Sequence, residues 1–183
     1  MNPPFPGHSA PSGGFEVPLE MLSACHHRVE RQCTTLRRLV PHLATHGVDA
    51  DARSAAAAVL RYFETAAPDH HADEENDLFP ALIESMAGSD AVCIRELVAA
   101  LTADHRQLEA LWRRLRPSLQ ALAAGQPQPL MASDVEPLLS LYAQHIARED
   151  TELLPLAARL LDEPALATVG RAMRERRGVA PVV

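Results

Sequence analysis

The chain has 183 residues, of which 47% are hydrophobic and 22% are charged. This balance is typical of a single globular domain that buries a core, so general disorder is not expected. All 17 basic residues are arginines, which excludes chemistry that needs a lysine nucleophile, and the net charge of -7 disfavours nucleic acid as a partner.

The cysteine content and the hydropathy concern the cellular compartment. Cys25, Cys33 and Cys93 form an odd set without Cys-x-x-Cys spacing, which argues against a disulfide framework and predicts three buried thiols in a reducing environment. No run approaches the roughly 20 apolar residues of a transmembrane helix, and the N-terminus lacks a signal-peptide pattern. We therefore expect a cytoplasmic protein with no membrane partner.

In chain order, the sequence divides into an arm, a domain and a tail. Residues 1–17 are rich in proline and glycine and show no apolar periodicity, which predicts a flexible arm. Residues 18–178 carry the patterning of a folded domain, and residues 179–183 form the tail. Four arginines near the end of the domain are expected to form a solvated helix end: Arg171, Arg174, Arg176 and Arg177.

Four long helices are predicted within the domain. Gly47, Gly88 and Gly125 separate the segments, because glycine commonly follows a helix end. In each segment apolar residues recur at the spacing of one helix face, and no alternating strand pattern occurs. The sequence therefore predicts an all-α fold, an antiparallel up-down-up-down four-helix bundle, with a short fifth helix that starts near Asp162 and ends before Gly178.

Prolines interrupt the predicted helices. An interior proline costs a helix about 3 kcal/mol or bends it, because its ring clashes with the preceding turn and it lacks an N–H group. We therefore expect kinks at the following positions: Pro41, Pro68, Pro80, Pro117, Pro137 and Pro155.

Each long segment carries one His-x-x-x-Glu pair on or beside its apolar stripe. Residues four apart share a helix face, and the apolar neighbours of the histidines indicate that the histidines point inward. The same projection places the second and fourth glutamates near the middle of their stripes, with Glu75 and Asp150 toward the edge. The pairs are His26 with Glu30, His70 with Glu74, His105 with Glu109, and His145 with Glu149.

The pairs belong to an internal repeat. The second and fourth segments match at a constant offset of 75, from His70 to His145, and the first and third match at an offset of 79, from His26 to His105. A rise of about 1.5 Å per residue from each turn brings the histidines of neighbouring helices to one level. The chain therefore resembles a duplicated helical hairpin with its polar residues in one layer.

A metal centre is the natural explanation of this layer. Four imidazoles and at least two carboxylates would be costly to bury without a partner. Nitrogen and oxygen donors without thiolate suit iron, manganese or zinc, and six donors exceed the needs of one tetrahedral zinc ion. Two metal ions bridged by carboxylates fit this donor set best.

These motifs resemble the hemerythrin-like, or HHE cation-binding, family. They are an inward His on helix one, His-His-x-x-Glu-Glu-x-x-Leu-Phe-Pro on helix two, Asp-His on helix three and His-Ile-x-x-Glu-Asp on helix four, and the resemblance covers residues 19 to about 177. It implies a centre of two iron ions, with manganese or zinc as alternatives, in which both glutamates bridge. The implied metal ligands are His26, His70, Glu74, His105, His145 and Glu149.

The resemblance also implies a binding or sensing protein for O2 or another small ligand, such as nitric oxide or peroxide. Oxygen-carrying members have a further histidine one turn after the helix-three histidine, where this chain has Glu109. His71, Glu109 and Glu30 are therefore additional candidate ligands. An enzyme that consumes O2 or peroxide, and a module that its metal only stabilises, are the alternatives.

Three other side chains lie within two turns of the histidines. Trp112 and Cys33 fall two turns away on their helices, and Tyr142 falls one turn before His145. Apolar and aromatic residues at helical spacing are mostly core residues, and a buried tyrosine usually has a satisfied hydroxyl. We therefore interpret all three as core residues and assign them no site role; the alternatives are that Trp112 and Cys33 line a gas pocket and that Tyr142 hydrogen-bonds a ligand or a bound oxygen species.

Overall fold

A computed structural model describes residues 14–86 and 91–180, and this part of the chain consists of helices and their connections, without strands. None of its helices combines the length and apolarity needed to cross a membrane. Residues 1–13 of the predicted arm, the predicted turn at Gly88 and residues 181–183 of the tail lie outside the described residues. The helices are α1 (Pro18–His46), α2 (Ala50–Asp73), a first π turn (Glu74–Leu78), α3 (Phe79–Ser85), α4 (Ala91–Ala123), α5 (Ala132–Arg148), a second π turn (Glu149–Leu153), α6 (Leu154–Leu160) and α7 (Glu163–Arg176).

Four long helical rods make up the bundle. Helix α2 continues through the first π turn into α3, and α5 continues through the second π turn into α6. Helix α1 packs against α2 and α5, and α4 packs against the same two helices, so neighbours along the chain are neighbours in space. The predicted all-α, up-down-up-down four-helix bundle is confirmed.

Capped ends set the helix boundaries. Gly47 follows α1 with a φ of 68°, a conformation that glycine adopts without steric cost. The carboxylate of Asp49 accepts a hydrogen bond from the Ala52 N–H at 2.8 Å and starts α2. The carboxylate of Asp162 does the same for the Ala165 N–H at 2.9 Å and starts α7. The short fifth helix is therefore present where the sequence predicted it.

The prolines behave in two ways. Four of them lie inside helices that continue past them, whereas Pro80 and Pro155 are each the second residue after a π turn. A proline displaces the carbonyl four residues before it, and here the helix widens so that the N–H of the residue before each proline bonds five residues back. The Phe79 N–H bonds the Glu74 carbonyl in this way. The predicted distortions therefore take the form of π turns at these two positions.

The apolar residues form two cores with a polar layer between them. Leu22 belongs to the core that contains α3, α6 and α7, whereas Val29 belongs to the core at the other end of the bundle. His26 lies between these two residues on α1 and is fully buried, and the same order recurs on α4. The histidines therefore sit in a layer that apolar side chains close off from both ends of the bundle.

Two expectations about the surface are wrong. Cys25 and Cys33 are buried, but Cys93 is exposed in the first turn of α4. The C-terminal arginines are not solvated as a group, because Arg176 and Arg177 fold back onto Asp73, whose side chain is fully buried. These two ion pairs dock α7 against α2, and helix periodicity alone did not indicate that contact.

Candidate metal centre

Six buried side chains meet in the polar layer, and they are the six residues that were predicted as metal ligands from the sequence. Four are histidines, one from each rod of the bundle, and two are the glutamates that begin the π turns. Such a concentration of ionisable groups inside a small bundle is costly without a compensating charge. Each is at most 2% exposed: His26, His70, Glu74, His105, His145 and Glu149.

Each glutamate contacts histidines of two helices. Glu74 Oε1 lies 3.5 Å from His70 Nε2, and Glu74 Oε2 lies 3.3 Å from His105 Nε2. Glu149 Oε1 lies 3.0 Å from His145 Nε2, and Glu149 Oε2 lies 3.1 Å from His26 Nε2. The two oxygens of each carboxylate therefore face different histidines, as bridging carboxylates do.

The donor atoms fall into two overlapping groups whose members lie within 4.8 Å of one another. We name the first cluster as His26, His70, Glu74 and Glu149, and the second cluster as His105, His145 and the same two glutamates. Both clusters combine imidazole nitrogen with carboxylate oxygen and contain no thiolate. Their shared glutamates make the arrangement suitable for two neighbouring cations rather than one.

A second row of carboxylates orients the histidines. The His26 Nδ1 is hydrogen-bonded to Asp150 Oδ1 at 2.7 Å, and the His105 Nδ1 is hydrogen-bonded to Glu75 Oε1 at 2.7 Å. When Nδ1 donates to an outer carboxylate, the Nε2 lone pair faces the centre, which is the usual support of a metal-binding histidine. The sequence patterns predicted no role for Asp150 and Glu75, although an acidic residue directly follows the candidate bridging glutamate in both copies of the repeat.

Orphaned polar atoms test whether a cation fits the layer. Both carboxylate oxygens of Glu74 and of Glu149, together with the Nε2 of His26, have no hydrogen-bond partner among the described residues. They approach one another closely without the alignment that hydrogen bonds need. Groups of this kind are buried in proteins when they bind a metal or an ordered polar partner. The residues present therefore fit metal cations.

The protonation tendencies of the layer reflect this crowding. Burial and the neighbouring Glu149 raise the pKa of Glu74 well above its usual value. Burial also acts to raise the pKa of Glu149, but contacts with His145 and His26 outweigh it and hold that pKa well below the usual value. Burial lowers the pKa of His70 well below the usual value. The crowding therefore shifts the pKa values of the two carboxylates in opposite directions.

Of the three additional candidate ligands, only His71 lies near the centre. It is 8% exposed, its ring stacks on His105 with centroids 4.0 Å apart, and it forms a third donor group with His105 and His145. The side chains of Glu30 and Glu109 are 58% and 45% exposed and do not reach the layer. Glu74 and Glu149 have the same spacing from a histidine but begin π turns, whereas Glu30 and Glu109 lie within regular α-helix.

A cavity of about 220 Å³ adjoins the second cluster through His71. Trp112 and Tyr142, which the sequence assigned to the core, line this cavity, whereas Cys33 is not part of its wall. The cavity depends on how three helices meet, so helix periodicity had no signal for it. Its main wall residues are Phe63, Ala67, His71, Leu108, Trp112 and Tyr142, with charged residues at the edge.

Comparison with known proteins agrees with the site. The family model described as hemerythrin HHE cation binding domain matches residues 17–157, a span that includes all six clustered residues. A Haemophilus influenzae protein, named only as uncharacterized, is 35% identical over 165 residues, which cover 90% of this chain and 92% of that relative. The chain belongs to the hemerythrin HHE cation-binding domain family.

Proposed function

We propose that the chain holds two iron ions in the polar layer and uses them to bind or sense O2 or another small ligand. One observation carries the proposal: Glu74 and Glu149 belong to both donor clusters. Two carboxylates that belong to both donor clusters are expected where they bridge two ions. A single ion would not need carboxylates shared between two clusters. The proposal includes a cytoplasmic location, which the free cysteines favour.

The donors suggest how the ions would be held. His26 and His70 would be the terminal ligands of one ion, and His105 and His145 those of the other. His71 is the remaining candidate on the side of the second cluster. Six or more nitrogen and oxygen donors favour an ion with high coordination number, hence iron, although manganese or zinc would satisfy the same donor types.

The chain itself contributes orientation and exclusion of water. A pair of ferrous ions supplies the electrons that reversible O2 binding needs. Asp150 and Glu75 would hold the imidazoles of His26 and His105 in the tautomer that points Nε2 inward. The apolar cores on both sides would keep bulk water from the layer, so that the ligand approaches through the protein matrix or along the cavity.

Bound metal per chain is the first test. Protein from iron-supplied cells is compared with the double variant His70→Ala, His145→Ala and with a control, His27→Ala, His46→Ala, that removes two exposed histidines. We expect about two irons in the parent and the control, and a loss of most of the iron in the first variant. A folded parent protein without metal would overturn the proposal.

Reversibility of O2 binding tests the sensing or binding role. Repeated deoxygenation and reoxygenation should cycle the visible absorption of the iron-loaded protein without loss of amplitude. Oxidation that completes on the first exposure and does not reverse would contradict this role. If the iron binds neither O2 nor nitric oxide, its role would instead be structural.

A second candidate function is an enzyme that consumes O2 or peroxide. The cavity beside the second cluster favours it, because about 220 Å³ exceeds the space that a diatomic ligand needs. The enzyme would remove peroxide faster than the same amount of free iron, and His70→Ala would abolish this activity while His27→Ala would not. Equal rates for the protein and free iron would exclude it.

A further inference from the structure

The cavity beside the second cluster has the size of a single ring. Its volume is about 220 Å³. An apolar cavity of about 150 Å³ is known to accept benzene, whereas pockets for larger organic ligands start at about 300 Å³. The space therefore suits one six-membered ring with a small substituent.

Aromatic side chains form the inner wall. The Phe63 ring lies between two others, with its centroid 5.0 Å from the Trp112 ring and 5.5 Å from the Tyr142 ring. Leu108 and Ala67 complete the apolar surface. Rings at such separations and tilted angles favour an aromatic guest, because edge and face contacts add to its apolar burial.

The charged residues at the edge of the cavity are already engaged with one another. Arg106 donates a hydrogen bond to Glu109 at 2.7 Å and also pairs with Glu75. An anionic ligand would meet two carboxylates against one guanidinium, on a chain whose net charge is -7. A cationic ligand would have to displace Arg106. The edge therefore favours a neutral ligand.

Two buried polar side chains, His71 and Tyr142, provide the polar part of the wall. They are 8% and 4% exposed, and the Nε2 of His71 has no hydrogen-bond partner within the described part of the chain. A ligand with one hydroxyl group would match this polar end while its ring fills the aromatic part. His71 also contacts His105, so the hydroxyl end would lie beside the second cluster.

We propose that this cavity binds a small neutral phenol, one aromatic ring with one hydroxyl group, next to the metal centre. The inference rests on the proposed function, because the phenol would be an organic second ligand beside that metal centre. The binding of the ring itself depends on the cavity walls and needs no metal.

Trp112 is the only tryptophan of the chain and lines the cavity, so its fluorescence reports on the cavity directly. Protein of measured iron content is titrated with phenol, cyclohexanol and benzoate, with calorimetry as the second readout. We expect saturable binding of phenol, and we expect cyclohexanol and benzoate each to bind about ten-fold more weakly. Equal affinity for cyclohexanol, tighter binding of benzoate or no saturable phenol binding would overturn the proposal.

Variants on α2 locate the binding. Ala67 and Ala72 line the cavity, whereas the half-buried Ala66 does not. Ala67→Leu and Ala72→Leu should weaken the binding of phenol by about ten-fold, because the larger side chains fill the space of the ring. The control Ala66→Leu should leave the affinity for phenol unchanged. Unchanged binding in either cavity variant that keeps the parent's melting temperature would contradict the location.

The result can be separated from the test of the metal centre. Phenol that binds a preparation lacking iron would support the cavity proposal even if the iron proposal fails. Two irons per chain without phenol binding would leave the iron proposal intact and overturn the cavity proposal. The probe comparison uses the unmodified chain, so it decides the question even where a variant does not fold.

Discussion

The two π turns are copies in the sequence but differ in what surrounds them. Each begins with a clustered glutamate, Glu74 or Glu149, and each is followed by a proline. The residue just before the glutamate is Asp73 in the first copy and Arg148 in the second, so its charge is reversed. The clustered glutamate is therefore repeated, whereas the residue just before it is not.

The reversed charges find different partners. Asp73 is fully buried and lies between Arg176 and Arg177, with the Arg177 Nη2 2.6 Å from Asp73 Oδ2. Arg148 is 38% exposed and contacts Asp104 of α4 at 3.1 Å. Helix α7 thus contacts the first π turn, whereas the arginine before the second pairs with Asp104 inside the bundle. A duplicated site can therefore keep one donor geometry while each half acquires its own support.

The largest expected effect is the loss of both ions on changing one bridging residue. Glu74→Gln and Glu149→Gln should each reduce bound iron from about two per chain to nearly none, because either glutamate serves both clusters. Iron analysis of purified protein checks this. If each variant kept one iron, the two halves would be independent sites and the comparison would fail.

The next effect concerns the two halves of the repeat, each with one π turn, and their contributions to stability. Asp73→Asn should lower the free energy of unfolding by about 3 kcal/mol, because it leaves the partly buried guanidinium of Arg177 without its carboxylate and leaves Arg176 paired with Asp77 alone. Urea denaturation of the metal-free protein measures it. A loss below about 1 kcal/mol would mean that the ion pairs with α7 contribute no more than surface pairs do.

The outer carboxylates should affect the two halves alike. Asp150→Asn and Glu75→Gln remove the hydrogen-bond acceptors of His26 and His105 and should each lower iron affinity about 10- to 100-fold. Competition with a chelator measures the affinity, and Asp77→Asn, which removes a carboxylate bonded to Arg176 and not to a histidine, is the control. An effect confined to one variant would show that the halves differ at the centre itself.

The smallest expected effect concerns the second half. Asp104→Asn removes the partner of Arg148, whose side chain is more than a third exposed, so the loss of unfolding free energy should be about 1 kcal/mol or less. The same urea experiment applies. A loss as large as that of Asp73→Asn would erase the difference between the two π turns.

Much of the centre was predictable because its signals are local and repeated. The spacing of His70 and Glu74 places both on one helix face, and the offset of 75 residues reproduces the pair as His145 and Glu149. Spacing alone overestimated Glu30 and Glu109, which have the same relation to a histidine but turn toward solvent. The His-x-x-x-Glu spacing alone therefore does not predict whether the glutamate of the pair reaches the core.

The amino-acid sequence by itself determined the bundle, the four inward histidines and the level at which they meet, because helical periodicity and rise are properties of neighbouring residues. Only the tertiary structure decided the pairing of Asp73 with Arg177, the orientation of His26 by Asp150 and the shape of the cavity. The first two join residues 104 and 124 positions apart, and the cavity depends on side chains from three helices. Such contacts follow from how the helices pack, and no local pattern encodes them.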